Sequence, residues 1–97
     1  MLFAVICTDR EGGLELRKQT RPAHLEYLRD HESRLVQVGP VLNTAGEPEG
    51  SLLIIDTTSL EEAQAFAAGD PYAQAGLFAS VTVRAYRQVF KDGQFVG

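Results

Sequence analysis

The residues with both the type and the spacing for chemistry cluster in one stretch of this sequence, Arg17 to Leu28. His24 stands in Arg21-Pro22-Ala23-His24-Leu25. If a helix runs through Pro22, then Arg17, Arg21, His24 and Leu28 follow one another at steps of four, three and four and share one narrow arc. A neutral imidazole beside guanidinium groups on a core-facing arc suits a small anion: arginine holds a carboxylate or phenolate, and histidine moves a proton. The plainer reading is a core-edge histidine bonded to a backbone carbonyl with solvated or paired arginines, and spacing alone favours it. Asp70-Pro71 has an equally plain explanation, because an aspartate before a proline opens a helix as its cap. A carboxylate has spare lone pairs, however, so one oxygen can cap while the other orients His24. The two residues are too far apart in sequence for spacing to bring them together.

Other candidates carry less. His31 follows His24 by seven residues but sits between Asp30 and Glu32, which reads as a surface position. Cys7 alternates onto one face of a strand and reads as packing rather than as a nucleophile. Two histidines and one cysteine, without close ligand spacing, do not make a metal site. Gly12-Gly13 lacks the rest of either nucleotide-binding fingerprint. Tyr72 and Tyr86 line a pocket or simply pack.

The elements that must position these residues are legible as patterns. Leu2–Thr8 is β-prone and apolar at nearly every position, as in a strand covered on both faces. A helical pattern runs from Leu14 to about Arg34, and Pro22 either kinks one helix or lets a second begin at Thr20 or Arg21. Leu35–Leu42 reads as a strand whose Gly39-Pro40 pair belongs on a sheet edge. A polar loop over Asn43–Gly50 leads to Ser51–Thr57, again apolar on both sides. Ser59 and Glu62 form a capping box for a helix through Ala68, and Gly69 stops it. Asp70 and Pro71 open a short helix ending near Leu77. Ser80–Phe90 alternates as a last strand, with Val81, Val83 and Ala85 on one side, and Asp92-Gly93 turns Phe95 and Val96 back as a small arm.

The order β-α-β-β-α-β predicts an α+β, ferredoxin-like domain spanning residues 1–97, with a four-stranded antiparallel sheet and both helices on one face. Leu2, Ala4 and Ile6 oppose Phe3, Val5 and Cys7, and Leu52 and Ile54 oppose Leu53 and Ile55, so the second sheet face is apolar too. A homodimer is expected to bury it, since the seven residues after Phe90 cannot cover a whole sheet.

Composition narrows the partners. With 97 residues the chain has room for one core. The net charge of −4 and nine scattered basic residues argue against nucleic acid, and no apolar run is long enough to span a bilayer. Leu2–Cys7 has no basic leader and meets Asp9 and Arg10 at once, so it does not read as a signal peptide. A lone cysteine offers no disulfide framework. A cytoplasmic protein is the expectation.

Arg17, Arg21-Pro22-Ala23-His24-Leu25, Gly39-Pro40, Gly50-Ser51 and Asp70-Pro71-Tyr72 with Ala75-Gly76-Leu77 resemble the YciI-like (YCII-related) family over essentially the whole chain. Val38 stands where a second glycine often precedes the Gly-Pro. The resemblance implies the dimeric α/β-barrel group, in which two ferredoxin-like sheets pack face to face. It also implies a site built from a histidine and an aspartate, here His24 and Asp70. Beside that pair, Arg17, Arg21, Ser51 and Tyr72 are expected to contact a small, anionic or aromatic substrate. Some relatives are associated with breakdown of chlorinated aromatics, and the wider group includes muconolactone isomerases and monooxygenase-like enzymes. The expectation is a small lyase or isomerase that needs no metal or redox cofactor, because proton transfer beside a carbonyl or on a hydroxylated ring requires neither. The alternative is a non-catalytic dimeric module that binds the same ligand.

Overall fold

A computed structural model describes all 97 residues. The elements in chain order are β1 (Leu2–Asp9), α1 (Leu14–Asp30), β2 (Leu35–Leu42), β3 (Pro48–Asp56), α2 (Leu60–Gly69), α3 (Pro71–Gln74), β4 (Phe78–Tyr86), β5 (Phe90–Lys91) and β6 (Gln94–Phe95). A single 3-10 turn, Glu32–Arg34, links α1 to β2. β1 to β4 form an antiparallel sheet in the order β2-β3-β1-β4, the arrangement of the ferredoxin-like split pattern.

Strand alternation fixes the two faces of that sheet. Phe3, Val5 and Cys7 of β1 stand opposite Ile55, Leu53 and Ser51 of β3, and the apolar members of this set pack with Leu28 of α1 and Ala63, Phe66 and Ala67 of α2. Both long helices therefore cover the same face. The other face carries Leu2, Ala4, Ile6, Leu52 and Ile54. Neighbouring side chains shelter Ala4 and Ile54, but Ile6 and Leu52 remain 45% and 40% exposed.

α1 is one helix through Pro22, which settles the choice that the sequence leaves open. Pro22 lies on the exposed side of the helix, where water can meet the Lys18 carbonyl that proline deprives of its donor. β2 is an edge strand, and Pro40 sits in it opposite Ser51, where a missing N–H costs the sheet little. α2 begins as expected, with the Ser59 hydroxyl accepting from the Glu62 N–H at 3.1 Å. The reciprocal half of the capping box is replaced, because the Glu62 carboxylate accepts from the Thr58 hydroxyl at 2.8 Å.

Several boundaries differ from the sequence pattern: α1 ends at Asp30 rather than near Arg34, and α3 at Gln74 rather than near Leu77. β3 starts at Pro48 rather than Ser51, since the turn closes within Asn43–Glu47: the Asn43 side chain accepts from the N–H groups of Ala45 and Glu47. β4 runs from Phe78 and ends at Tyr86, not Phe90, because Tyr86 already faces Leu2, the first residue of its partner strand. No helix is long and apolar enough to cross a membrane.

Candidate functional site

A cavity of about 270 Å³ opens between α1 and the β2 edge of the sheet, with Arg17, Lys18, Arg21, His24, Ser51 and Tyr72 as its polar lining. α1 supplies most of this wall. Arg17, His24 and Leu28 are its buried residues, while Lys18 and Arg21 sit exposed at the mouth. The arc expected from spacing is therefore real, with Arg21 on its solvent margin.

His24 and Asp70 meet directly. Nδ1 lies 2.8 Å from Oδ1 and 3.0 Å from Oδ2 of the carboxylate, and both side chains are almost fully buried. A carboxylate can only accept, so Nδ1 carries a proton, and in the neutral ring the lone pair is on Nε2. The ring's hydrogen bonds run through Nδ1 alone, and no enclosed polar side-chain atom lacks a partner, so Nε2 faces accessible space. Asp70 also caps α3, and here one oxygen serves both duties: Oδ1 accepts from the Tyr72 N–H at 2.9 Å as well as from His24. α3 thereby swings the Tyr72 ring over the imidazole, stacked at 4.0 Å between centroids and 20° from parallel.

Arg17 is more heavily engaged than an anion binder should be. Its Nε donates to Asp9 Oδ2 at 2.8 Å, and its Nη2 donates to the Gly50 carbonyl at 2.8 Å and to Ser51 Oγ at 2.7 Å. The guanidinium also lies 4.5 Å from the centre of the Tyr72 ring. Asp9 offsets its charge within the protein. The unpaired cations of the cavity are instead Arg21 and Lys18, and no acidic side chain lines the space they face. Gly50 is dictated locally, since a β-carbon there would collide with the Cys7 carbonyl of β1.

Asp9 and Lys18 were not marked by their sequence context. Lys18 shares the helical wall through steps of three and seven to Arg21 and Leu25, a signal that was available. Asp9 gave none, since its role depends on where β1 ends beside α1. His31 departs from the surface position expected of it: its Nδ1 donates to the Tyr27 carbonyl at 2.8 Å, and the ring packs at 5.5 Å from Phe66. Neither it nor Tyr86, which is on the bare sheet face opposite Leu2, belongs to the cavity.

Burial tunes two groups around the site. The Cys7 thiol is pushed up to about 12, first by burial and then by the Asp70 and Asp9 carboxylates, with Arg17 pulling it down. That makes it an inert packing group. The Tyr72 hydroxyl is raised by burial, against the opposing pull of Arg17 and Arg21, so it stays a protonated hydrogen-bond donor near neutral pH.

Residues 1–87 match the YCII-related domain. The chain belongs to that family. Among its relatives is protein YciI of Escherichia coli, 39% identical over 98 residues, an alignment covering 93% of this chain and all of the relative. An uncharacterised protein of Haemophilus influenzae is 34% identical over 100 residues, with the same coverage. Among solved structures, the chain is similar to 5-chloro-2-hydroxyhydroquinone dehydrochlorinase (TftG) of Burkholderia phenoliruptrix, in complex with 2,5-dihydroxybenzoquinone. That likeness has a TM-score of 0.85 and 34% identity, and covers 90% of this chain and 94% of the other. The YCII-related fold thus includes a lyase-type enzyme that binds a small hydroxylated ring.

Proposed function

We propose that this protein is a small enzyme of the lyase or isomerase type that moves a proton on a compact, anionic or hydroxylated-ring substrate. The observation that carries the reading is the buried His24–Asp70 pair, bonded through Nδ1, with His24 lining a cavity that Arg21 and Lys18 also line. In this role Nε2 takes a proton from a ring hydroxyl or from carbon beside a carbonyl. The Asp70 carboxylate stabilises the imidazolium that forms, and Arg21 and Lys18 meet the oxyanion left on the substrate. Ser51 and Tyr72 supply hydroxyl groups to the same wall, and Arg17 holds that wall in place. Returning the proton to another atom completes an isomerisation. Expelling chloride with its bonding electron pair completes a dehydrochlorination, in which the substrate loses H⁺ and Cl⁻ and no added oxidant is needed. The chemistry of TftG makes chlorinated hydroxyhydroquinones the first substrates to try.

The bare sheet face supports a second part of the reading, a homodimer in which two sheets pack face to face, the exposed Ile6 and Leu52 of each copy meeting the other. A cytoplasmic setting goes with it, as the lone cysteine calls for no oxidising compartment.

The test is turnover. The parental chain and His24→Asn are incubated with chlorinated hydroxyhydroquinones, and free chloride and quinone absorbance are followed. The expected result is turnover by the parent and a loss of about 10²-fold or more in His24→Asn, with ligand binding kept in a thermal-shift assay. Binding without any turnover by the parent, across a panel extended to aromatic acids and lactones, would identify a binding module instead.

A further inference from the structure

The YCII-related match ends at residue 87, yet the chain goes on into a built element. β5 and β6 form a two-stranded sheet of their own. Asp92 and Gly93 turn them, with φ of 51° and 76°, the pair of positive values that a two-residue type I′ turn demands. The Val96 N–H donates to the Val89 carbonyl at 2.8 Å and closes the base. An isolated hairpin of this size is marginal in water. This one nevertheless turns its best packing residues outward: Phe90 and Phe95, cross-strand neighbours in edge-to-face contact at 5.6 Å, are 63% and 69% exposed.

The hairpin is continuous with the bare sheet face. Val96 shares a depression with Leu2 and Tyr86, which are paired on that face at the end of β1 and β4. The arm thus adjoins one end of the same face whose far end exposes Ile6 and Leu52, with polar Thr82 and Arg84 of β4 along the way. Area decides what the arm is for. Four strands at about 4.8 Å spacing and seven residues at about 3.4 Å rise give a face of roughly 450 Å². That falls short of the roughly 600–1,000 Å² per partner of a standard stable interface. At about 200 Å² for each phenylalanine and the exposures given above, the Phe90–Phe95 pair adds roughly 260 Å². Each copy then reaches roughly 700 Å², inside the stable range. Two-fold symmetry provides every contact twice, one arm from each copy. A rigid aromatic pair on a preset turn also loses little freedom on docking.

We infer that the C-terminal hairpin is a clasp that closes on a second copy of this chain, burying Phe90 and Phe95 in the interface that the sheet face begins. The inference rests on the dimer reading proposed above. Sedimentation velocity over a concentration series tests it with three chains: the parent, a Phe90→Ser/Phe95→Ser variant and an Ile6→Lys variant, each checked for an unchanged far-ultraviolet circular dichroism spectrum. The parent is expected to be a dimer, and both variants to raise the dissociation constant by about 30-fold or more, as the loss of interface anchors does. A parental dimer that the double serine variant leaves within about threefold overturns the clasp and leaves the dimer reading standing. A parent that stays monomeric to about 1 mM, an affinity too weak for any stable interface, overturns the dimer reading and the clasp with it.

Discussion

Replacing Asp70 by asparagine separates what the carboxylate's shape does from what its charge does. Asparagine keeps the oxygen that accepts from the Tyr72 N–H at 2.9 Å and from His24 Nδ1 at 2.8 Å. It is also as good a helix cap as aspartate, so the loss of stability is held to about 1 kcal/mol. The charge alone disappears. At about 4 Å between charge centres and an effective dielectric constant of about 20, a carboxylate stabilises an imidazolium by about 4 kcal/mol. Allowing for relaxation around a nearly buried pair, about 2–4 kcal/mol of the stabilisation of protonated His24 is lost, which slows proton abstraction roughly 30- to 1,000-fold. Arg21 and Lys18 are untouched, so the loss falls on kcat and leaves KM within about threefold. The assay is steady-state kinetics on the substrate identified by chloride release, with a thermal melt of each protein. A variant that keeps kcat within about threefold of the parent at an unchanged melting temperature refutes the reasoning, since it leaves the charge with no part in the reaction.

Arg17→Met is expected to act on folding first. It strands the Asp9 carboxylate, nearly buried and otherwise paired at 2.8 Å, and costs about 3–5 kcal/mol in urea unfolding. Asp9→Asn in the same chain should restore part of that loss. For Cys7 the expectation concerns both reactivity and pH. With its thiol near 12, iodoacetamide at pH 8 should label the folded protein about a thousandfold more slowly than the urea-unfolded one, in proportion to the thiolate present. The folded value is raised above the ordinary 9.0, so below pH 9 the thiol is protonated in both states and its contribution to stability is complete. Between pH 9 and 12 the unfolded chain holds fewer protons, and stability falls by about 1.4 kcal/mol per pH unit from this group. Burial also raises Tyr72 and Tyr27, in the same direction, so Cys7→Ala should flatten the alkaline decline measured by urea unfolding without removing it.

The strands, the long helices and the edge position of β2 were legible because each is written in local pattern. The two-sided apolarity of Leu2–Cys7 and Leu52–Ile55 marked the central strands, and Pro40 could be accommodated only where the sheet lacks a neighbour. The ends of β3 and β4 were not legible, because they are set by partners: Asn43 closes its turn early, and Leu2 gives β4 nothing to pair with beyond Tyr86. The site divides in the same way. The α1 wall follows from a period of 3.6, but the meeting of His24 with Asp70 and of Arg17 with Asp9 depends on how α3 and β1 end against α1, which no spacing encodes. Family resemblance singled out His24 and Asp70 without supplying the distance between them.

Those two meetings also explain why ionic groups are buried in so small a domain. Arg17 and His24 lie seven residues apart on α1, about 10 Å along its axis, and each ties the helix to a different neighbour, β1 and β3 through Asp9, Gly50 and Ser51, and α3 through Asp70. As fasteners these pairs are poor. Desolvating both charges offsets most of the attraction between them, and apolar side chains of equal volume hold a helix as well. Direction is what a carboxylate supplies and a leucine does not. Asp70 bonds Nδ1 and so fixes the imidazole plane, and in the proposed reaction that leaves Nε2 to accept the proton. Asp9 spends the charge of Arg17 inside the wall, so the field at the mouth comes from Arg21 and Lys18. Stability alone gives no reason to bury two costly pairs beside one cavity, whereas the proton transfer proposed above would give one: an oriented base beneath two free cations.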